Sequence, residues 1–92
     1  MKTILERDLL AVVRRINLIT NSPETTYTMD KAGKFKANIG NYHLYHAYGG
    51  VSLRRMHSKG GGIIDVLNCG CVTKRELYNR MQSFIRGLEV IK

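Results

Sequence analysis

Seven residues, YHLYHAY from Tyr42 to Tyr48, lie between two glycine-containing dipeptides, Gly40-Asn41 before and Gly49-Gly50 after. An aromatic-rich run bounded in this way reads as a strand between two tight hairpins, because glycine and asparagine supply the positive φ that primed turns need. Such turns fix the pairing. Residues flanking a two-residue loop face each other and share one side of the sheet. On that rule Ile39 pairs with Tyr42, Ala37 with Leu44 and Phe35 with His46. Across the second turn Tyr48 pairs with Val51, His46 with Leu53 and Leu44 with Arg55. "FKANI" and "VSLRRMH" become the neighbouring strands. "TTYTM", set off by the turn-like "DKAGK", becomes a further one. "IIDVL" reads as a short fifth strand or as a bridge to the C-terminal segment.

This register sorts the strand residues into two faces. One holds Phe35, Ala37, Ile39, Tyr42, Leu44, His46, Tyr48, Val51 and Leu53, apolar enough to carry a layer of helices. The other holds Lys34, Lys36, Asn38, His43, Tyr45, Ala47, Ser52, Arg54 and Met56, and nothing left in the chain is expected to cover it.

Both ends read as amphipathic helices. Thr3 and Glu6 have capping-box spacing, and Leu5, Leu9, Val12, Ile16 and Ile19 make one apolar stripe up to the stop at Asn21-Ser22-Pro23. Thr73 and Glu76 repeat the spacing ahead of Leu77, Met81, Phe84, Ile85 and Leu88. Four strands about 4.8 Å apart are wide enough to seat two helices about 10 Å apart. The expected fold is therefore α+β in two layers, a four-stranded antiparallel meander with both helices on one face, in the order α-β-β-β-β-α. A chain of 92 residues supports one domain over 1–92.

Charge narrows the choice of partner. Fifteen Lys and Arg against seven Asp and Glu give a net charge of +8. No acidic residue occurs from Lys31 to Ile64, whereas both ends are mixed in sign. A basic middle of this kind calls for an anionic partner: nucleic acid, a nucleotide, or an acidic protein face. Lys34, Lys36, His43, Tyr45 and Arg54 are the candidate nucleic-acid-binding residues, with cations to meet phosphates and flat rings to stack on bases.

"HSKGGG" admits two readings. Bent glycine backbone can cradle a phosphate, with Lys59 beside Gly60, Gly61 and Gly62. Alternatively the glycines make a bend. A P-loop needs its lysine after the glycines and a hydroxyl next to it, and neither is present, so the bend is favoured.

Catalysis, metal and membrane have little to build on. Cys69-Gly70-Cys71 lacks zinc-knuckle spacing, and His43 and His46 fall on opposite faces, so no metal is expected. Asp65 is the one acid between Asp30 and Glu76, and no serine sits in a nucleophile context. A binder rather than an enzyme is expected, with no cofactor. No run of about 18 apolar residues occurs. Glu6 and Asp8 in the first turns argue against a secretory signal, and two closely spaced cysteines argue for a reduced, cytoplasmic setting.

The stretch from "NIGNYHLYHAYGGVSLRRM" through "GGG" to "TKRELYNRMQSFIRGL" resembles short uncharacterised accessory proteins of tailed bacteriophages and prophages. The resemblance implies a setting, a bacterial host cytoplasm, and brings no activity. Proteins of that kind bind nucleic acids, nucleotide signals, host proteins or anti-phage defence proteins. The helix–sheet–helix order also resembles double-stranded-RNA-binding domains in architecture, without their basic second-helix start. The expected function is binding of nucleic acid or a nucleotide through the uncovered basic face. The alternative is an inhibitor or adaptor that meets an acidic host or defence protein. A homodimer is compatible with either, since a chain this short gains core by pairing.

Overall fold

A computed structural model describes residues 3–58 and 62–91, with the backbone alone at Ile91. The elements run α1 (Glu6–Ile19), β1 (Tyr27–Met29), β2 (Phe35–Ala37), β3 (Tyr42–Ala47), β4 (Gly50–Met56), β5 (Ile63–Asp65) and α2 (Lys74–Ile91). The class is α+β. The strands form two antiparallel sheets, β1-β2 and β3-β4-β5. The expected single four-stranded meander does not form.

The two helices cover one face of the three-stranded sheet. Leu9, Val12, Val13 and Ile16 of α1, Tyr42, Val51 and Leu53 of the sheet, and Leu77, Met81 and Ile85 of α2 make one buried cluster. Its helical members recur at steps of three and four, so each helix turns one stripe inward. α2 opens on Thr73, whose hydroxyl accepts the Glu76 N–H at 3.1 Å, as the capping spacing implies. α1 differs. Its N-cap is Leu5 rather than Thr3, and Asp8 folds back to accept the Leu5 N–H at 2.8 Å. It closes with Asn21 in the left-handed region at φ 55, the Asn21 N–H on Leu18 O and the Ser22 N–H on Asn17 O. That is a Schellman ending with asparagine where glycine is commoner.

The β3–β4 register is Ala47↔Gly50, His46↔Val51, Leu44↔Leu53 and Tyr42↔Arg55. It differs by two residues from the expected one. The loop is Tyr48-Gly49, both at positive φ, rather than Gly49-Gly50. Gly50 is drawn into β4 because residues 71–72 run against it. A Cβ there would lie 2.9 Å from the Val72 carbonyl oxygen, and Val51 exchanges both backbone hydrogen bonds with Val72. A slip of two preserves the faces, so Leu44 and Leu53 still point to the helices, and His43, Tyr45 and Arg54 still point away.

The β2–β3 hairpin does not form, and Asn17 shows why. Its side-chain amide donates to Tyr42 O at 3.1 Å and accepts from Tyr42 N at 2.9 Å, which occupies the edge where Ile39 would have paired. Gly40, at φ 94, turns the chain away, and the Gly40 N–H and Asn41 O are taken by Met56. The β1–β2 ribbon is therefore separate. It is held by Tyr27↔Ala37, Thr28↔Lys36 and Met29↔Phe35 and closed by an Asp30–Lys34 turn with Gly33 at φ 82. With the ribbon standing off, the molecule measures 48 × 34 × 22 Å.

Candidate nucleic-acid interface

The expected set divides between two places. Lys34 and Lys36 leave with the ribbon. His43, Tyr45 and Arg54 stay together on the sheet face opposite the helices.

On the ribbon, Tyr27, Met29 and Phe35 share one face, and Thr28 and Lys36 the other. Both are open. Phe35 is 68% exposed and Tyr27 48%. Lys31, Lys34 and Lys36 are exposed as well. The nearest acid, Asp30, is exposed too, and one of its oxygens accepts the Ala32 and Lys34 N–H groups, each at 2.9 Å. A ribbon two strands wide is narrow enough for long lysine side chains to reach round its edge to the ring-bearing face. At its base, Asn38 donates to Thr25 O at 2.9 Å and to Thr28 Oγ1 at 2.8 Å. Thr25 and Thr26 in turn line a cleft of about 330 Å³ with His43, Tyr42, Leu44 and residues of α1.

On the sheet, the Arg54 guanidinium lies 4.3 Å from the centre of the Tyr45 ring, and Arg54 Nε donates to Ser52 Oγ at 3.2 Å. The hydroxyl and the ring together hold the guanidinium over the Tyr45 ring. His43 stands opposite Arg54 in the register. Its Nδ1 is 3.2 Å from Asn41 Oδ1, and Asn41 Nδ2 donates to Pro23 O at 2.7 Å. The amide oxygen is thus the acceptor, Nδ1 carries the proton, and Nε2 is left as an acceptor when the ring is neutral. Burial pushes the His43 pKa below its ordinary value. Asn41 opposes the shift and the Arg54 charge adds to it. At neutral pH His43 offers a flat ring and an acceptor rather than a charge.

This face is less open than expected. Ser52 and Met56 are fully buried. The returning 62–72 segment accounts for Ser52, with Cys71 Sγ 3.9 Å from its hydroxyl. Asp65 lies opposite Arg54 across β4 and β5. Its Oδ2 accepts the Gly70 N–H at 2.9 Å, while Oδ1 is buried without a hydrogen-bond partner among the described residues. His46, assigned to the helix-covered face, is half exposed and bonds Glu6 through Nε2 at 2.9 Å.

Of the phosphate-nest residues, Lys59, Gly60 and Gly61 lie outside the described residues. Gly62 is described, and its N–H already bonds Ser58 Oγ at 3.0 Å while its carbonyl accepts the His57 N–H at 2.7 Å. Those two bonds tie Gly62 to His57 and Ser58. Cys69 and Cys71 are both free thiols, and burial pushes the Cys69 thiol above its ordinary pKa. Among the described residues no three His, Cys, Asp or Glu side chains are grouped to hold a metal ion. No helix among them is long and apolar enough to cross a membrane.

Asn17 and the ribbon rings escaped the sequence reading. Asn17 follows Ile16 on the inward side of α1, and a polar residue there implies a buried partner. Tyr27 and Phe35 were legible as strand residues, but Phe35 was expected on the helix-covered face, and it stands exposed with Tyr27 because the ribbon leaves the sheet. Comparison with family models, with curated proteins and with solved structures finds no match.

Proposed function

We propose that this protein binds single-stranded nucleic acid, with the ribbon as its main contact and the Tyr45–Arg54 pair as a second stacking point. The reading rests on one observation: Tyr27 and Phe35 stand exposed on a narrow ribbon with Lys31, Lys34 and Lys36, three cations against the single carboxylate of Asp30, one oxygen of which is bound into its own turn. Bases stack on rings at about 1–3 kcal/mol each, and lysines neutralise phosphates. A two-stranded ribbon open on both faces is marginal by itself, and a bound strand would complete it. Binding without catalysis, in the cytoplasm of a phage-infected bacterium, is the setting this reading assumes.

Fluorescence anisotropy with labelled mixed-sequence single-stranded DNA, single-stranded RNA and duplexes tests it. Single strands are expected to bind, and Lys34→Glu with Lys36→Glu is expected to abolish binding while circular dichroism stays unchanged. Phe35→Ala should weaken binding about tenfold or more. No binding at low salt, or binding that survives the charge reversal, overturns the proposal and turns attention to an acidic protein as the partner.

A further inference from the structure

We infer that the free edge of β3 is a two-fold interface with a second copy of this chain, joining the two three-stranded sheets into one of six strands. β3 is the outer strand of its sheet. In an antiparallel ladder alternate residues turn their N–H and C=O groups outward. The bonds of Val51 and Leu53 to Val72 and Val66 show that these two residues point away from β3. Their counterparts His46 and Leu44 therefore point to the open side, and so does Tyr42. Asn17 takes both groups of Tyr42. Among the described residues, the edge groups of Leu44 and His46 have no partner. Strand Tyr42–Ala47 contains no lysine, proline or bulge, the usual devices that keep a free edge from pairing.

These groups allow one two-fold register that uses all of them. Leu44 of each copy pairs with His46 of the other, and Tyr45 falls on the axis opposite its own counterpart. The helix layer selects the same axis independently. α1 runs antiparallel to β3, with Glu6 bonded to His46 at one end and Asn17 bonded to Tyr42 at the other. Leu10 therefore stands level with Leu44 and Tyr45. It is 49% exposed and lines the cleft beside Leu44 together with Arg14. Glu6 and Arg14 lie one helical step of four residues to either side of Leu10. An axis at Leu10 sets Leu10 against Leu10 and places each Glu6 against the other copy's Arg14. Strand backbone, apolar contact and charge are thus self-complementary about one axis, which is what an isologous interface requires. Tyr45, 41% exposed, is covered at its edge, and the two Tyr45–Arg54 pairs come side by side on the open face. The inference stands whether or not the protein binds nucleic acid.

Sedimentation equilibrium of the full chain tests it. A dimer is expected. Leu10→Lys, which puts two like charges on the axis at an exposed site, should weaken it at least about tenfold. Arg14→Glu should weaken it too, and adding Glu6→Arg should restore it. Residues directly opposite in a non-hydrogen-bonded pair have Cα atoms about 4.5 Å apart, within disulfide range. With Cys69→Ser and Cys71→Ser in place, Tyr45→Cys should therefore oxidise to a covalent dimer, and Thr28→Cys on the ribbon should not. A monomer at every concentration measured, a dimer indifferent to Leu10→Lys and Arg14→Glu, or capture through Thr28→Cys in preference to Tyr45→Cys overturns the inference.

Discussion

Asn17 does three things from one position on α1. Its carbonyl accepts the Ser22 N–H in the helix ending, and its side chain satisfies both edge groups of Tyr42 while only 2% exposed. Replacing it by leucine leaves a buried N–H and C=O without partners, at a cost of about 1–3 kcal/mol. Urea unfolding should show that loss, and hydrogen exchange should show the Tyr42 amide losing protection. His43 sets a pH dependence. Its folded pKa is lowered by burial, so the unfolded chain takes up a proton first as pH falls. The stabilising contribution is whole above about 6.5 and declines below it. Thermal melts between pH 5 and 8 should therefore show a slope that His43→Gln reduces.

At the scale of elements, the crossing of residues 71–72 over Gly50 decides the sheet. Gly50→Ala would drive a Cβ into backbone atoms at 2.9 to 3.1 Å, and backbone moves less readily than a side-chain tip. The expected loss is about 1–3 kcal/mol by denaturant titration. Gly62→Ala should be milder. Its nearest contact is the Ser58 hydroxyl at 2.8 Å, which can rotate away. The helices were legible in the sequence because apolar periodicity and capping act within one element. So was the Asp30–Lys34 turn, whose hydrogen bonds all lie inside the loop. The β2–β3 hairpin was misread because a glycine-asparagine pair marks a turn without saying which strand comes after it. What excluded β2 was an asparagine 25 residues away along the chain.

For the molecule as a whole, the ribbon and the helix–sheet unit are separable. Thr26 O accepts the Asn38 N–H at 2.9 Å, so the ribbon's two ends meet at its base. Replacing residues 27–37 with an Asn-Gly link should leave the melting temperature of the remainder within a few degrees, because the buried cluster contains none of those residues. Oligonucleotide binding should be lost in the same variant. In the full chain, removing the charges of Lys31, Lys34 and Lys36 should lower the slope of log affinity against log salt by about two, at roughly 0.7 for each single-strand phosphate released. Anisotropy titrations at several salt concentrations read that slope directly.

The sequence by itself determined the class of fold, the two helices, which side of β3 and β4 faces them, and the basic character of the middle. Each of these comes from local periodicity or composition, and the two-residue slip in register left the faces intact because side chains alternate with a period of two. Only the tertiary structure decided how the candidate site is distributed. Lys34 and Lys36 parted from His43, Tyr45 and Arg54 because a side chain from α1 holds the edge of β3 that β2 would have used. Ser52 became buried because the chain came back across the face that should have stayed open. Both outcomes depend on which distant segment satisfies a backbone edge, and hydrogen-bonding groups on the main chain are the same at every residue, so no local pattern announces the winner.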